Sequence, residues 1–180
     1  MKVILIAGGA GFLGSNFARY RVECGDELHL IVRPSTDPHR IKDLENLVSL
    51  HECDLSDKKN LASVVSSIRP NVVLHCASTT FTAQKKGIFD DAKLVTDDVK
   101  NLINMLSASE ELKKPLSLFI RSGSIAEYGD SAIPCTEKHT LIPKTEYAAG
   151  KVFENYLTEY YRSKLSFPIG RNFFPKTLIA

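Results

Sequence analysis

Residues 2–15 read "KVILIAGGAGFLGS". An aliphatic run, Val3 to Ile6, breaks into glycines, and the glycines open onto a stretch of helical character. Gly9, Gly11 and Gly14 fit GxGxxG; Gly8, Gly11 and Gly14 fit GxxGxxG. In such a turn one glycine permits the tight bend. A second lets the backbone approach a pyrophosphate, and a third lets the helix pack closely on the strand. The free N–H groups and the positive end of the helix dipole then face the phosphates. Glycines alone are a weak signal, but here they follow a strand and open a helix, the context the motif demands. The stretch predicts a dinucleotide-binding turn with Gly8, Gly11, Phe12, Leu13 and Gly14 around the cofactor.

Working outward, apolar runs of strand type alternate with runs of helical period. Residues 12–24 are expected to form a helix with Leu13, Phe17 and Tyr20 on its inner side. "ELHLIVR" (27–33) is a second strand, and "PSTDPHR" (34–40) leads to a short helix and then to "VSLHECDL" (48–55). Residues 57–68 are helical, with Leu61, Val64, Val65 and Ile68 recurring at the right spacing. "NVVLHCAS" (71–78) is a fourth strand, a long helix fills about 90–110, and "LSLFIRSGS" (116–124) is a fifth strand. After a loop holding Pro134 and Pro143, a helix runs from about Thr145 to Tyr161. "SFPIGRNFF" (166–174) is a possible sixth strand, weakened by Pro168 and Gly170. This alternation predicts an α/β fold, a doubly wound parallel sheet of Rossmann type covered on both faces, as one domain over residues 1–180. Such a fold binds its ligand beyond the carboxyl ends of the strands.

Composition narrows the partners. A chain of 180 residues with 43% hydrophobic residues can bury a full core. No apolar run reaches the ~20 residues of a spanning helix, and no signal-peptide pattern precedes the first strand. A net charge of +2, without basic runs interleaved with aromatics, points away from nucleic acid. Cys24, Cys53, Cys76 and Cys135 are scattered and form no CxxC pair. They read as buried or half-buried thiols in a reducing cytoplasm, and no metal pattern such as HExxH is present.

The strand ends hold the remaining candidates. An acidic residue is expected about 20 positions after the glycines to bind the ribose of NAD. Strand two instead ends on Arg33, which can pair with the 2′-phosphate of NADP. Ser35, Arg40 and Lys42 lie nearby. The cofactor is therefore expected to be NADP, with NAD as the alternative. Asp54, after strand three, can accept from the adenine amino group or serve as a turn residue or helix cap. "HCAST" (75–79) offers small residues where the middle of the dinucleotide must pass. Tyr147 precedes Lys151 by four residues, and Tyr160 precedes Lys164 by the same spacing, so spacing alone does not choose a proton-transfer pair.

Taken in order, "GGAGFLG", "CDL", "LHCAS", "SGSIAEYG" and "YAAGK" resemble the extended short-chain dehydrogenase/reductase family, especially its nucleotide-sugar epimerases, dehydratases and 4-keto reductases. The resemblance covers nearly the whole chain. It implies a catalytic set of Ser124, Tyr147 and Lys151, with Ser124 chosen over Ser122 because it stands four residues before Tyr128-Gly129. It implies adenine contact by Asp54 and cofactor contacts from Leu55, Cys76, Ala77, Tyr147 and Lys151. Tyr147 and Lys151 share a helix face, since four residues turn through about 400°. The Lys ammonium can lower the phenol from its usual pKa of ~10. Tyr147 would then move the proton while the nicotinamide carries hydride. Tyr160 lies ~20 Å further along the helix, too far to reach the same site.

Departures from the family pattern refine the expectation. Family dehydratases carry an acid between the Ser/Thr and the Tyr-Gly; here the central positions are Ile125 and Ala126, and Glu127 abuts Tyr128. That disfavours elimination of water. Val95 and Asp98 stand where the family prefers Asn and Gly, and Phe174 stands where epimerases often have Asn. The chain closes on "KTLIA" (176–180), where family members continue and build most of the sugar-nucleotide pocket. It is expected to be a truncated product or a cofactor-binding half that needs another chain. The leading expectation is an NADP-dependent reductase of a nucleotide-linked 4-keto sugar. A nucleotide-sugar 4-epimerase with retained NAD is one alternative, and a cofactor-binding module without catalysis is another. The resemblance also implies a homodimer through the helices at about 90–110 and 145–161.

Overall fold

The computed structural model describes residues 1–78, 88–130, 135–136 and 138–174. Among these residues six strands form one parallel sheet: β1 (Val3–Ala7), β2 (Glu27–Val32), β3 (Ser49–Glu52), β4 (Val72–His75), β5 (Leu118–Ser124) and β6 (Ile169–Phe174). Their order is β3-β2-β1-β4-β5-β6, the doubly wound Rossmann arrangement, with its reversal between β1 and β4. Four helices cover it: α1 (Phe12–Glu23), α2 (Lys58–Ile68), α3 (Ile88–Glu110) and α4 (Glu146–Arg162). Short 3-10 turns occupy Pro38–Leu44 and Ile125–Tyr128. Pro134 and the closing "KTLIA" lie outside the described residues.

The period of two along each strand builds the two layers. Ile4, Ile6, Leu28, Leu30, Val72 and Leu74 point to one face, where they meet Ala10 and Ala18. Leu5, Ala7, Ile31, Val73 and Phe119 point to the other, against Leu61 and Val65 of α2 and Leu102, Met105 and Leu106 of α3. Each such aliphatic side chain stabilises the fold by roughly 1.5–3 kcal/mol when fully buried. Asp57 caps α2 by accepting the Asn60 N–H at 3.0 Å. Thr145 does the same for α4, taking the Ala148 N–H at 3.1 Å. Pro168 does not break the sixth strand: it precedes β6, and its carbonyl accepts from Phe119 N at 2.9 Å.

Two expectations are corrected. Tyr20 is 60% exposed; the inner side of α1 is made by Gly14, Ser15 and Ala18. Small residues carry that contact because the helix lies close on the sheet. Cys24 is exposed, while Cys53 is buried and Cys76 and Cys135 are half-buried. Among the described residues no helix is long and apolar enough to cross a membrane.

Candidate active site

The turn between β1 and α1 is built by close approach. Gly8 has φ of +82°, and a Cβ there would lie 2.8 Å from the Ala77 backbone nitrogen. A Cβ on Gly14 would strike the Gly8 carbonyl and come within 2.9 Å of Gly9 Cα. Gly11 is different: it is exposed, and its added Cβ would meet only the Gly8 oxygen, at 3.2 Å. Gly11 caps α1 without a side-chain hydrogen bond, and the first turn holds no acidic residue. The helix thus opens with backbone N–H groups that no side chain caps. That uncapped, positively polarised edge, flanked by exposed Phe12 and half-buried Leu13, fits the pyrophosphate of a dinucleotide.

The ends of the next strands lie beside it. Arg33, exposed, directly follows β2. Asp54 accepts the Ser56 N–H at 2.8 Å, so its turn role is realised. Hydrogen bonds from Ser56, and after them the charges of Arg33 and Lys100, hold its carboxyl below the usual carboxylate range. Leu55 turns its side chain into the core and its carbonyl accepts from Asn104 Nδ2 at 2.9 Å. Arg19 of α1 pairs with Asp43 at 2.6 Å and also donates to the Arg40 carbonyl. It thereby ties the 3-10 turn that bears Arg40 and Lys42 to α1. Cys76 is half-buried, its thiol pushed up to about 12 by burial. Ser78 Oγ donates to Asp98 at 2.6 Å, so Asp98 anchors the loop after β4 to α3.

Ser124 ends β5 and caps the following 3-10 turn, accepting the Ala126 N–H at 3.2 Å. Accepting there leaves its O–H proton to donate. Tyr147 is half-buried in the first turn of α4. Lys151, on the buried side of that helix, has its ammonium 5.9 Å from the Tyr147 ring centre. Between them stands Gly150, against which Val95 packs; a Cβ on Gly150 would meet a Val95 methyl at 2.9 Å. Tyr160 and Lys164 make a closer pair, at 2.6 Å, but Tyr160 is exposed on the far end of the helix.

The sequence reading missed the groups that hold Lys151. Both oxygens of Glu154 accept from Lys151 Nζ, at 2.9 and 3.0 Å. Arg121 of β5 donates to Glu154 at 2.9 Å. Glu127 accepts the Ser124 N–H at 2.9 Å and lies 3.9 Å from Arg121. His75, in register with Arg121 on β4, stacks on Phe119. Burial first, then the charges of Lys151 and Arg121, push its pKa down to about 3, so it is neutral. One signal was available: Arg121 is the lone charge in its strand, directly after the apolar run Leu118–Ile120, and a buried charge must find a partner. Among the described residues no group of three or more His, Cys, Asp or Glu could hold a metal ion.

Comparison with known proteins gives the family and the fold. The family model described as GDP-mannose 4,6 dehydratase matches residues 5–174. The chain is 30% identical over 145 residues to a UDP-glucose 4-epimerase of Mycoplasma genitalium, covering 79% of this chain and 42% of that protein. It is 26% identical over 174 residues to GDP-mannose 4,6 dehydratase 1 of Arabidopsis thaliana, covering 89% and 48%. A solved UDP-glucose 4-epimerase of Brucella ovis, in complex with NAD, shares the fold at a TM-score of 0.81 and 24% identity, covering 96% of this chain and 52% of that one. The chain thus spans less than half the length of these curated relatives.

Proposed function

Since this chain belongs to the GDP-mannose 4,6 dehydratase family, among the nucleotide-sugar epimerases and dehydratases of the extended short-chain dehydrogenase/reductase class, we propose that it is an NADP-dependent oxidoreductase that reduces a nucleotide-linked 4-keto sugar. The observation that carries the reading is Tyr147 on α4 with the Lys151 ammonium one turn away, 5.9 Å from its ring. Bound at the α1 edge, the nicotinamide would supply the hydride. Gly11 would leave room for the pyrophosphate, while Gly8 and Gly14 allow the tight turn and close packing that present it. Arg33 would meet the 2′-phosphate, and Asp54 the adenine. Ser124 would donate a hydrogen bond to the substrate carbonyl oxygen, and Tyr147 would give that oxygen its proton. Lys151 would hold its positive charge beside the phenol and reach the nicotinamide ribose. Ile125 and Ala126, apolar where elimination needs an acid, speak against dehydration.

A second reading, a 4-epimerase that keeps and recycles NAD, uses the same residues. It is favoured by the 30% identity to a UDP-glucose 4-epimerase. Arg33 weighs toward NADP, and hence toward a reductase that exchanges its cofactor. As a partner we propose a second copy of the chain, docked on α3 and α4. Ile103 of α3 and Phe153, Tyr156 and Tyr160 of α4 are exposed, which supports that face.

The test is the cofactor itself. Purified protein is denatured and the released nucleotide identified, and the melting temperature is compared with NADPH and with NADH. Exchangeable NADPH, followed by its oxidation in the presence of a nucleotide-linked 4-keto sugar, supports the reductase. Tightly held NAD moves the reading to the epimerase. Binding without turnover of any such sugar leaves a cofactor-binding module, and binding of neither dinucleotide rejects the whole proposal.

A further inference from the structure

On the α4 side of β5 stands a charge where a parallel sheet ordinarily carries an aliphatic residue. Arg121 and Glu127 are fully buried, and Glu154 and Lys151 are 2% and 3% exposed. Two cations and two anions therefore sit out of water, at a desolvation cost that apolar residues of similar size would avoid. Stability alone gives no reason to keep them.

We propose that Arg121 is a positioning residue that couples the turn bearing Ser124 to the ammonium of Lys151. The proposal rests on the reading that Ser124 and Lys151 serve one proton-transfer site. The path runs through hydrogen bonds and one longer ion pair, that of Glu127 with Arg121. Glu127 Oε1 accepts the Ser124 N–H at 2.9 Å and faces Arg121 Nη2 at 3.9 Å. Arg121 Nη1 donates to Glu154 Oε2 at 2.9 Å. Glu154 then holds Lys151 Nζ with both oxygens. Arg121 uses one arm of its guanidinium toward each carboxylate, which a lysine, a point charge on a flexible stem, cannot do. His75 faces both cations from β4 and stays neutral, so it adds no third charge. Ser124 lies on the strand side of the site and Lys151 on the helix side, and the two have no sequence-local link. Through Arg121 a displacement of either is felt by the other.

The test reads the coupling directly, in the full chain, by NMR. Glu154→Gln should shift the Ser124 amide resonance. Glu127→Gln should shift the Lys151 Nζ resonance, assigned with Lys151→Arg. Both cross-effects should shrink roughly threefold or more when Arg121 is also replaced by Met, as expected for residues joined through a shared partner. An unmoved Ser124 amide in Glu154→Gln overturns the proposal. So does a shift of the same size with and without Arg121, or a fall in Tm with no cross-effect. Should Arg121→Met fail to fold, Arg121→Lys takes its place, with the same expectation. NADPH titration separates this from the reading of the site. Wild-type binding that weakens about tenfold, ~1.4 kcal/mol, in Glu154→Gln supports both. A wild type that binds neither NADPH nor NADH rejects the cofactor reading, and the resonances alone then decide the coupling.

Discussion

The Lys151 ammonium lies 5.9 Å from the centre of the Tyr147 ring, whereas Lys164 Nζ donates to Tyr160 at 2.6 Å. The tighter pair is the one outside the site. It is exposed at and just beyond the end of α4, where water screens its charge. Lys151 is held by a buried carboxylate at the end of the sheet where the cofactor turn lies. Tyr147→Phe is therefore expected to lower turnover by roughly 10²–10⁴-fold, the usual contribution of a positioned proton donor, with NADPH binding nearly unchanged. Tyr160→Phe should change neither. Loss of reduced-nicotinamide absorbance measures turnover, and a fully active Tyr147→Phe would sink the mechanism.

Arg33 tests the choice of cofactor. It is exposed after β2, and its charge reaches the Asp54 carboxyl. If it meets the 2′-phosphate, Arg33→Ala removes a charge-assisted hydrogen bond, normally ~1.5–3 kcal/mol. NADPH affinity should fall roughly 10- to 100-fold, while NADH affinity stays within about twofold. Titration with each nucleotide checks this, and an equal loss for both would remove the argument for NADP.

Two glycines of one motif should fail differently. Gly14 is pressed on the Gly8–Gly9 backbone, which cannot yield as a flexible side chain can. Gly14→Ala should destabilise by about 1–3 kcal/mol, read from the urea midpoint. A Cβ on Gly11 would meet only the Gly8 carbonyl oxygen, at 3.2 Å. Gly11→Ala should keep its fold within ~1 kcal/mol, and yet weaken dinucleotide binding as the methyl enters the phosphate path. Unchanged binding in Gly11→Ala would place the phosphates elsewhere.

The division between what was legible and what was not follows from locality. Ile4 and Ile6 against Leu5 and Ala7 already mark a strand buried on both faces, and β4 announces itself the same way. The glycine turn is equally local. The inner face of α1 misled because apolarity was counted and closeness was not: Gly14 and Ala18 sit inside while Tyr20 faces water. Arg121 and Glu154 meet only because α4 packs on β5, across 33 residues of chain, whereas Glu127 is close to Arg121 in sequence. One member of that cluster, Glu127, had left a trace. Ser124-Ile-Ala-Glu127 has the spacing of a capping box, and the turn indeed forms one.

The exposed aromatic side of α4 makes a separate prediction. Phe153, Tyr156 and Tyr160 are 54%, 64% and 58% exposed, with Ile103 of α3 also at the surface. Contiguous apolar surface of this kind usually marks an interface. Sedimentation should show a dimer, and Tyr156→Glu should shift it to monomer by burying an unpaired charge. A wild-type monomer at high concentration would refute this.

His75 makes the fold more sensitive to acid. Its pKa in the folded chain is about 3, against ~6.5 when unfolded. Burial is the main cause; Lys151 from α4 and Arg121 from β5 add to it, and the carboxylates of Glu154 and Glu127 face those cations. Above ~6.5 neither state holds the proton, so His75 adds no pH dependence there. As the pH falls through 6.5, the unfolded chain takes up a proton that the folded chain refuses, and stability drops until the pH nears 3. Between pH 7 and 5 the loss from this residue should be about 2 kcal/mol. His51, lowered by burial and by His29, acts with the same sign, so the comparison must remove His75 alone. Phe fits the place, since the ring stacks on Phe119 and Nδ1 has no hydrogen-bond partner among the described residues. Urea midpoints of wild type and His75→Phe at the two pH values measure the difference. An equal loss in both proteins would show that the acid sensitivity lies elsewhere.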